Sequence, residues 1–420
     1  MNGIFRTADI LVPADCDMAK WSVIACDQFS SQPGYWDALD GYVGEAPSTL
    51  RLMLPEAYLD RRDPLAEART INATMRRYLD AGVLRALPDS CIYLERTLPD
   101  GQVRRGIVAA LDLEAYDYTA ASASPVRATE GTVPDRLPPR VRVRRDAPLE
   151  MPHIMVLMDD ERDDVLGPLE AGRSALPTVY DFSLNCGGGH LHGRLVSGDD
   201  AAALLREVDA YARSICERRA GAAPAAFAIG DGNHSLAAAK NCWEELKKSG
   251  LPPERLARHP ARFSLVELVN IHDDAIRFEP IHRVLFETGA QGFLDAAKAF
   301  WSERGRASGS VHTLRLLAGQ REERIAVGGM TIGQIIGAAE DFCQGYAAAH
   351  GGRIDYIHND DTALEMGGRP GGAAILLPKM EKHELFASIV RSGPFPKKSF
   401  SIGHAEDKRY YLECRRIQES

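Results

Sequence analysis

A chain of 420 residues, 45% hydrophobic and 26% charged, is long enough to bury a sizeable core and has neither a fibrous nor a disordered composition. Its net charge of −9 disfavours non-specific attraction to nucleic acid or anionic lipid. Asp9, Asp15 and Asp17 break the N-terminus before a signal-like apolar stretch develops, and no run nears the ~18 apolar residues that span a bilayer, so a soluble, cytoplasmic protein without membrane partners is expected.

Pro64–Ala81 has Leu65, Ala68, Ile71, Met75, Tyr78 and Leu79 at three- and four-residue steps, which predicts a helix stopped by Gly82. Cys91–Arg96 and Val103–Leu111 read as strands around the turn Pro99-Asp100-Gly101. Thr119–Pro125 and Pro138-Pro139 mark a segment boundary.

Between them lies Arg127-Ala128-Thr129-Glu130-Gly131-Thr132, with Asp135-Arg136 just beyond. Glu130 in a Thr/Gly loop can act as a general base, although an isolated glutamate is more often a solvated surface residue. Arg140–Arg145 (RVRVRR) alternates with period two and predicts an edge strand protected by charge rather than a nucleic-acid face, since no aromatic residues interleave with it. Ile154–Met158 predicts a buried strand. Asn185–His190 contains Gly187–Gly189, either an anion cradle or a mobile loop. His190 and His192 lack a metal-binding motif. The eight dispersed cysteines suit reduced thiols better than a disulfide framework or zinc site.

Ser197–Arg218 predicts a helix, with Asp199 and Asp200 at its start and Arg213, Arg218 and Arg219 at its end. Ala225–Ile229 is a short apolar strand, and His234–Lys248 an amphipathic helix. The junction Ile229-Gly230-Asp231-Gly232-Asn233-His234 is the most informative stretch of the chain. Gly230 and Gly232 permit a tight turn, and a helix start offers backbone N–H groups and a positive dipole end to phosphate. Asp231 is placed to hold magnesium, and Asn233 and His234 to bond phosphate oxygens. The plainer alternative is that Asp231 or Asn233 caps the helix. The turn is neither a Walker loop nor a dinucleotide fingerprint.

Arg262–Ile271 predicts a strand. After it come Asn270-Ile271-His272-Asp273-Asp274 and Phe278-Glu279-Pro280-Ile281-His282-Arg283, where His282 and Arg283 can bind an anionic group or form a surface ion pair. Gly305–Ser310 reads as a linker, Thr331–His350 as a long helix, Arg353–His358 and Ala373–Leu377 as strands flanking the loop Gly367–Gly372, and Glu381–Arg391 as a helix. In Pro394–Phe400, Lys397 and Lys398 beside Ser399 can balance phosphate charge, or be plain surface. The alternation predicts an α+β chain of mixed sheets with flanking helices, organised as lobes 1–120, 121–290 (with the Asp-Gly-Asn-His turn) and 291–420.

Thr129-Glu130, Asp231-Gly232-Asn233-His234, Pro280-Ile281-His282-Arg283 and Pro396-Lys397-Lys398-Ser399-Phe400, with Trp21–Gln28 at the start, resemble the family known as domain of unknown function 1015 over nearly the whole chain. Its turn is locally similar to that of ADP-dependent free serine kinases. That likeness implies a ParB/sulfiredoxin-like nucleotide-binding core and a magnesium-dependent phosphoryl transfer between ATP or ADP and free serine or phosphoserine. Under it, Glu130 accepts the hydroxyl proton, Asp231 holds magnesium, and His234 with the turn amides of Gly230, Gly232 and Asn233 holds phosphate. Thr129, His282, Arg283, Lys397, Lys398 and Ser399 complete the substrate- and phosphate-binding set. Asn233 and Ser235 depart from the related turn, which carries histidine and often arginine there; losing the arginine removes a fixed positive charge. Two alternatives stay open: a phosphoserine phosphatase, and a ParB-like nucleotide-binding switch without turnover. A homo-oligomer is also left open.

Overall fold

The computed structural model describes residues 3–132, 137–218, 223–288, 292–304 and 311–419. Asp135 and Arg136, Arg219 and the Gly305–Ser310 linker lie outside them. The architecture is α+β, with mixed sheets and flanking helices. Two compact units emerge: unit 1 comprises Met1–Ala128, Thr132–Ile276 and Gly403–Ser420, and unit 2 comprises Thr129–Gly131 and Arg277–Ile402. Among the described residues no helix is long and apolar enough to cross a membrane.

Unit 1 is organised on a 13-stranded sheet. Its strands are β1 (Phe5–Arg6), β2 (Ala8–Pro13), β3 (Leu84–Thr97), β4 (Val103–Asp112), β5 (Tyr116–Asp117), β6 (Val126–Ala128), β7 (Leu149–Glu150), β8 (Met155–Met158), β9 (Thr178–Ser183), β10 (His190–Ser197), β11 (Phe227–Asp231), β12 (Phe263–Asn270) and β13 (Cys414–Arg416). The main path is β5-β6-β11-β8-β12-β4-β3-β2-β13-β7; β1 pairs with β4, and β10 joins β3 to β9. The β5/β6, β6/β11 and β8/β12 pairs are parallel.

Side chains alternate across this sheet with the period of two that a strand imposes. Ile92, Leu94, Val108 and Ala110 join a core with Trp21, Trp36 and, from helix α1 (Pro64–Asp80), Ile71, Met75 and Tyr78. Cys91, Tyr93, Ile107 and Ala109 join the opposite core with Tyr211 of helix α3 (Gly198–Arg218) and Leu236 and Trp243 of helix α4 (Asn233–Lys247). Burial on both faces explains why the central strands are near-continuous apolar runs. Helix α1 starts where Asp63 accepts from the Leu65 N–H and Pro64 occupies the first turn; it ends before Gly82, whose φ is 66°.

The expectation of a strand over Arg140–Arg145 is corrected: Leu137–Arg145 is helix α2. Six residues of alternating Arg and Val fit either period, and tertiary partners decide the outcome. Leu137 and Val141, four residues apart, pack with Ala237 and Ala238 of α4. Arg140 pairs with Glu56, Arg144 lies 2.7 Å from Glu150, and Arg145 lies 2.9 Å from Glu245. The end of the Gly187–Gly189 run is closely packed. Gly189 has φ 90°, and a Cβ there would sit 2.1 Å from the Thr97 carbonyl oxygen. Packing at the start of β10 therefore requires glycine.

The interior of unit 1 also holds a charge network that sequence reading missed. Glu267 on β12 is fully buried between Arg104 (3.3 Å) and Arg409 (2.8 Å), and Arg409 continues to Glu413 at 2.7 Å. Burial pushes the Glu267 carboxyl up, but the two guanidinium groups outweigh it and hold the carboxyl below its ordinary value.

Unit 2 has a five-stranded antiparallel sheet in the order Arg321–Gly328, Val311–Ala318, Ala373–Leu376, His282–Phe286, Arg353–Ile357. A separate pair joins Phe278–Pro280 to Phe400–Ile402. The long helix Ile332–His350 opens with a capping box in which Thr331 and Gln334 exchange side-chain and backbone bonds.

Candidate functional site

The turn at the end of β11 is built by three local features. Phe227, Ala228 and Ile229 are fully buried between β6 and β8. The register against β8 then shifts between Ile229 and Asp231, so Gly230 is the extra residue of a bulge that re-aims Asp231. Gly232 follows with φ 76°, and a Cβ at this position would come within 3.0 Å of the Ile154 backbone. Only glycine meets both demands without strain.

Gly232 is also the N-cap of α4 and, as glycine, brings no side chain of its own to the helix start. Asp231 instead accepts from the Gly232 N–H at 2.9 Å and faces the Lys408 ammonium at 3.4 Å. Asn233 is buried and donates from Nδ2 to the Ile229 carbonyl at 3.3 Å, tying the helix start back to its strand. His234 and Ser235 are half-buried on the first turn. The arrangement places a helix dipole, one carboxylate and one ammonium around a single glycine corner, the elements a phosphate and a counter-ion would use. Lys408 had no signal in the sequence near the turn; it sits in the distant segment Ala405–Tyr411.

The other predicted site residues gather in unit 2. Thr129–Gly131 runs beside Phe395, whose N–H donates to Thr129 O at 2.7 Å and whose carbonyl accepts from Gly131 N at 3.0 Å. Glu130 accepts from the Lys398 N–H, and Lys398 adopts φ 55°. Arg283 donates to the Lys398 carbonyl at 2.8 Å and to Glu340 at 3.0 Å. Thus Arg283 holds the loop that contacts Glu130. Ser399 donates to Pro396 O at 2.6 Å. Lys397 and Lys398 are exposed, whereas His282 and Arg283 are both 0% exposed. His282 accepts at Nδ1 from the Leu377 N–H and meets Asp360 at 2.8 Å through Nε2. Burial drives its pKa down, against the pull of Asp360.

The Asn270–Asp274 segment is structural scaffolding in unit 1. Asn270 donates to Asp160 O at 2.7 Å, His272 meets Asp159 at 2.8 Å, and Asp273 pairs with Arg105 at 3.1 Å. Among the described residues, no group of three or more His, Cys, Asp or Glu is placed to hold a metal ion.

A family model described as "Protein of unknown function (DUF1015)" matches residues 11–414. Among curated proteins, none matches the chain. Solved structures similar to it include a conserved hypothetical protein from Pyrococcus furiosus, 10% identical, covering 73% of this chain and 90% of that one with a TM-score of 0.32. A free serine kinase variant in complex with AMP is 9% identical, covering 74% of this chain and 92% of that one with a TM-score of 0.38. SbnI from Staphylococcus aureus is 9% identical, covering 70% and 82% with a TM-score of 0.34. Likenesses at identities and TM-scores this low carry no activity across to this chain.

Proposed function

We propose that this chain, which belongs to the DUF1015 family, is a phosphotransferase moving a phosphoryl group between a nucleotide, ATP or ADP, and free serine. The observation that carries the reading is the β11–α4 corner, where the positive dipole end of α4, Asp231 and Lys408 meet at Gly232. Phosphoryl transfer asks little covalent chemistry of a protein; it needs positioning and neutralisation of spreading negative charge. The helix start and His234 would hold phosphate oxygens. Lys408 supports the reading further: it supplies a fixed positive charge at a turn that has Ser235 where related turns often carry arginine. Glu130 would accept the serine hydroxyl proton, and Lys397, Lys398 and Ser399 belong to the same proposed set. A ParB/sulfiredoxin-like nucleotide core in unit 1 is part of this proposal.

Magnesium fits on one condition. Asp231 is a single carboxylate already facing an ammonium group, so the protein alone does not make a cation cage. Magnesium commonly takes one or two carboxylates and fills its remaining positions with phosphate oxygens and water. Asp231 would therefore hold it only together with the nucleotide, where the ion would neutralise phosphate charge.

Purified protein incubated with serine, magnesium and ATP or ADP should yield phosphoserine by mass spectrometry, or phosphoserine with AMP or ADP should yield the reverse transfer. No turnover in either direction across several nucleotides removes the reading. Inorganic phosphate released from phosphoserine without nucleotide would replace it with a phosphatase.

A further inference from the structure

Unit 1 contains a cavity of about 160 Å³, room for roughly ten waters on a scale where one water needs ~15 Å³. Cavities of ~150 Å³ hold a single aromatic ring. Its walls are mainly apolar, with the thioethers of Met53, Met75 and Met151 among them. Such sulfurs make favourable contacts with aromatic rings and adapt to irregular shapes.

The polar groups on the lining narrow the occupant. Arg140 is paired with Glu56, and Arg144 shares Glu150 with Arg415, so both lining guanidinium groups already face a carboxylate. The remaining polar end is His153, Tyr411 and Cys26: the Tyr411 hydroxyl lies 3.0 Å from His153 Nδ1 and 3.1 Å from Cys26 Sγ. Burial pushes the Cys26 thiol up to about 12 and the Tyr411 phenol well above its ordinary range, so both stay neutral. Behind them, Asp27 sits 3.7 Å from His153 Nε2. This end offers a neutral phenol and thiol beside an imidazole, with a carboxylate behind it. An uncharged edge suits it, and a phosphate or carboxylate does not.

Ser235 and Ala238 of α4 also line the cavity. The wall thus begins on the first turn of the same helix whose start was assigned to phosphate. We propose that the cavity receives an uncharged planar heteroaromatic ring, the base of the nucleotide, with its hydrogen-bonding edge toward Tyr411 and His153. This rests on the phosphotransferase reading for the identity of the molecule but not for the ring-sized, mainly apolar character of the site.

The test separates the two. Calorimetry on the full chain would measure adenosine, guanosine, cytidine, uridine, indole and inorganic pyrophosphate separately. It would be repeated on Ala147→Phe and Val143→Phe, which place bulk on the cavity wall without touching the β11–α4 corner. At least one nucleoside should bind and weaken roughly tenfold or more in the filled variants, while pyrophosphate binding stays unchanged and certifies that they are folded. Should Ala147→Phe fail to fold, Val143→Phe carries the comparison. Pyrophosphate binding without any nucleoside binding, or nucleoside binding indifferent to both variants, overturns the cavity assignment and leaves the phosphate site standing. Indole binding alone overturns the base. Nucleoside binding without pyrophosphate binding upholds the cavity and removes the phosphotransferase reading.

Discussion

Replacing Asp231 with asparagine separates its structural work from its proposed chemistry. Its carboxylate lies 3.4 Å from Lys408, with only 16% and 10% of the two side chains exposed. At an effective dielectric of about 20, a pair at this distance attracts by roughly 5 kcal/mol. Desolvation of both groups offsets much of that, which leaves a net cost of about 2 kcal/mol when one charge is removed and the other stays. Asparagine keeps an oxygen for the Gly232 N–H, so the turn itself should persist. The expected loss is then about 2–4 °C in Tm by calorimetry for a unit of this size. Adding Lys408→Met should recover part of it, a coupling of about 1–2 kcal/mol in a double-mutant cycle. In the single variant, metal-free pyrophosphate should bind at least as tightly as in wild type, because the lysine charge is released, while magnesium-dependent transfer should vanish. An Asp231→Asn protein with full magnesium-dependent activity returns the residue to a structural role. A coupling near zero refutes the energetic argument.

Three further outcomes follow from the geometry. Glu267→Gln leaves Arg104 and Arg409 without their shared buried counter-charge and should cost about 3–5 kcal/mol in urea unfolding; a loss under ~1 kcal/mol contradicts the network. Gly232→Ala must place a side chain at φ 76° and 3.0 Å from Ile154, so it should lose about 2 kcal/mol and weaken pyrophosphate binding; unchanged melting by circular dichroism disproves the strained corner. His282 has a folded pKa below its unfolded value near 6.5, because burial disfavours the imidazolium. Between those two values the unfolded chain binds more protons, so stability is complete above about pH 6.5 and falls as pH drops through the window. Urea midpoints of His282→Gln against wild type from pH 7.5 to 5 should converge as pH falls, and parallel curves would count against the assignment.

What the sequence made legible is what neighbouring residues decide. Helices α1, α3 and α4 and the strands around Ile92, Ile107, Leu157 and Ile229 were read because periodicity and glycine punctuation are local signals. The Gly230–Gly232 corner was read for the same reason, since a bulge and a left-handed residue must be encoded where they occur. Helix α2 was misread because its RVRVRR pattern fits two periods, and the choice came from Glu56, Glu150 and Glu245, which no local window contains.

The same limit applied to charge. Asp231, Glu130 and Arg283 were each visible as chemistry-bearing residues, but their partners Lys408, Lys398 and Glu340 come from remote segments. Read alone, Arg283 looks like a surface ligand for an anion. With Glu340 at 3.0 Å and no exposure, it is better placed to hold the Lys398 loop than to meet a substrate directly. That makes Arg283 a positioning residue in the proposed set: Arg283→Lys would keep the charge but lose the fork that reaches both Glu340 and the Lys398 carbonyl. Whether a charged side chain binds or positions is thus decided by the location of its counter-charge, and that is a property of the fold.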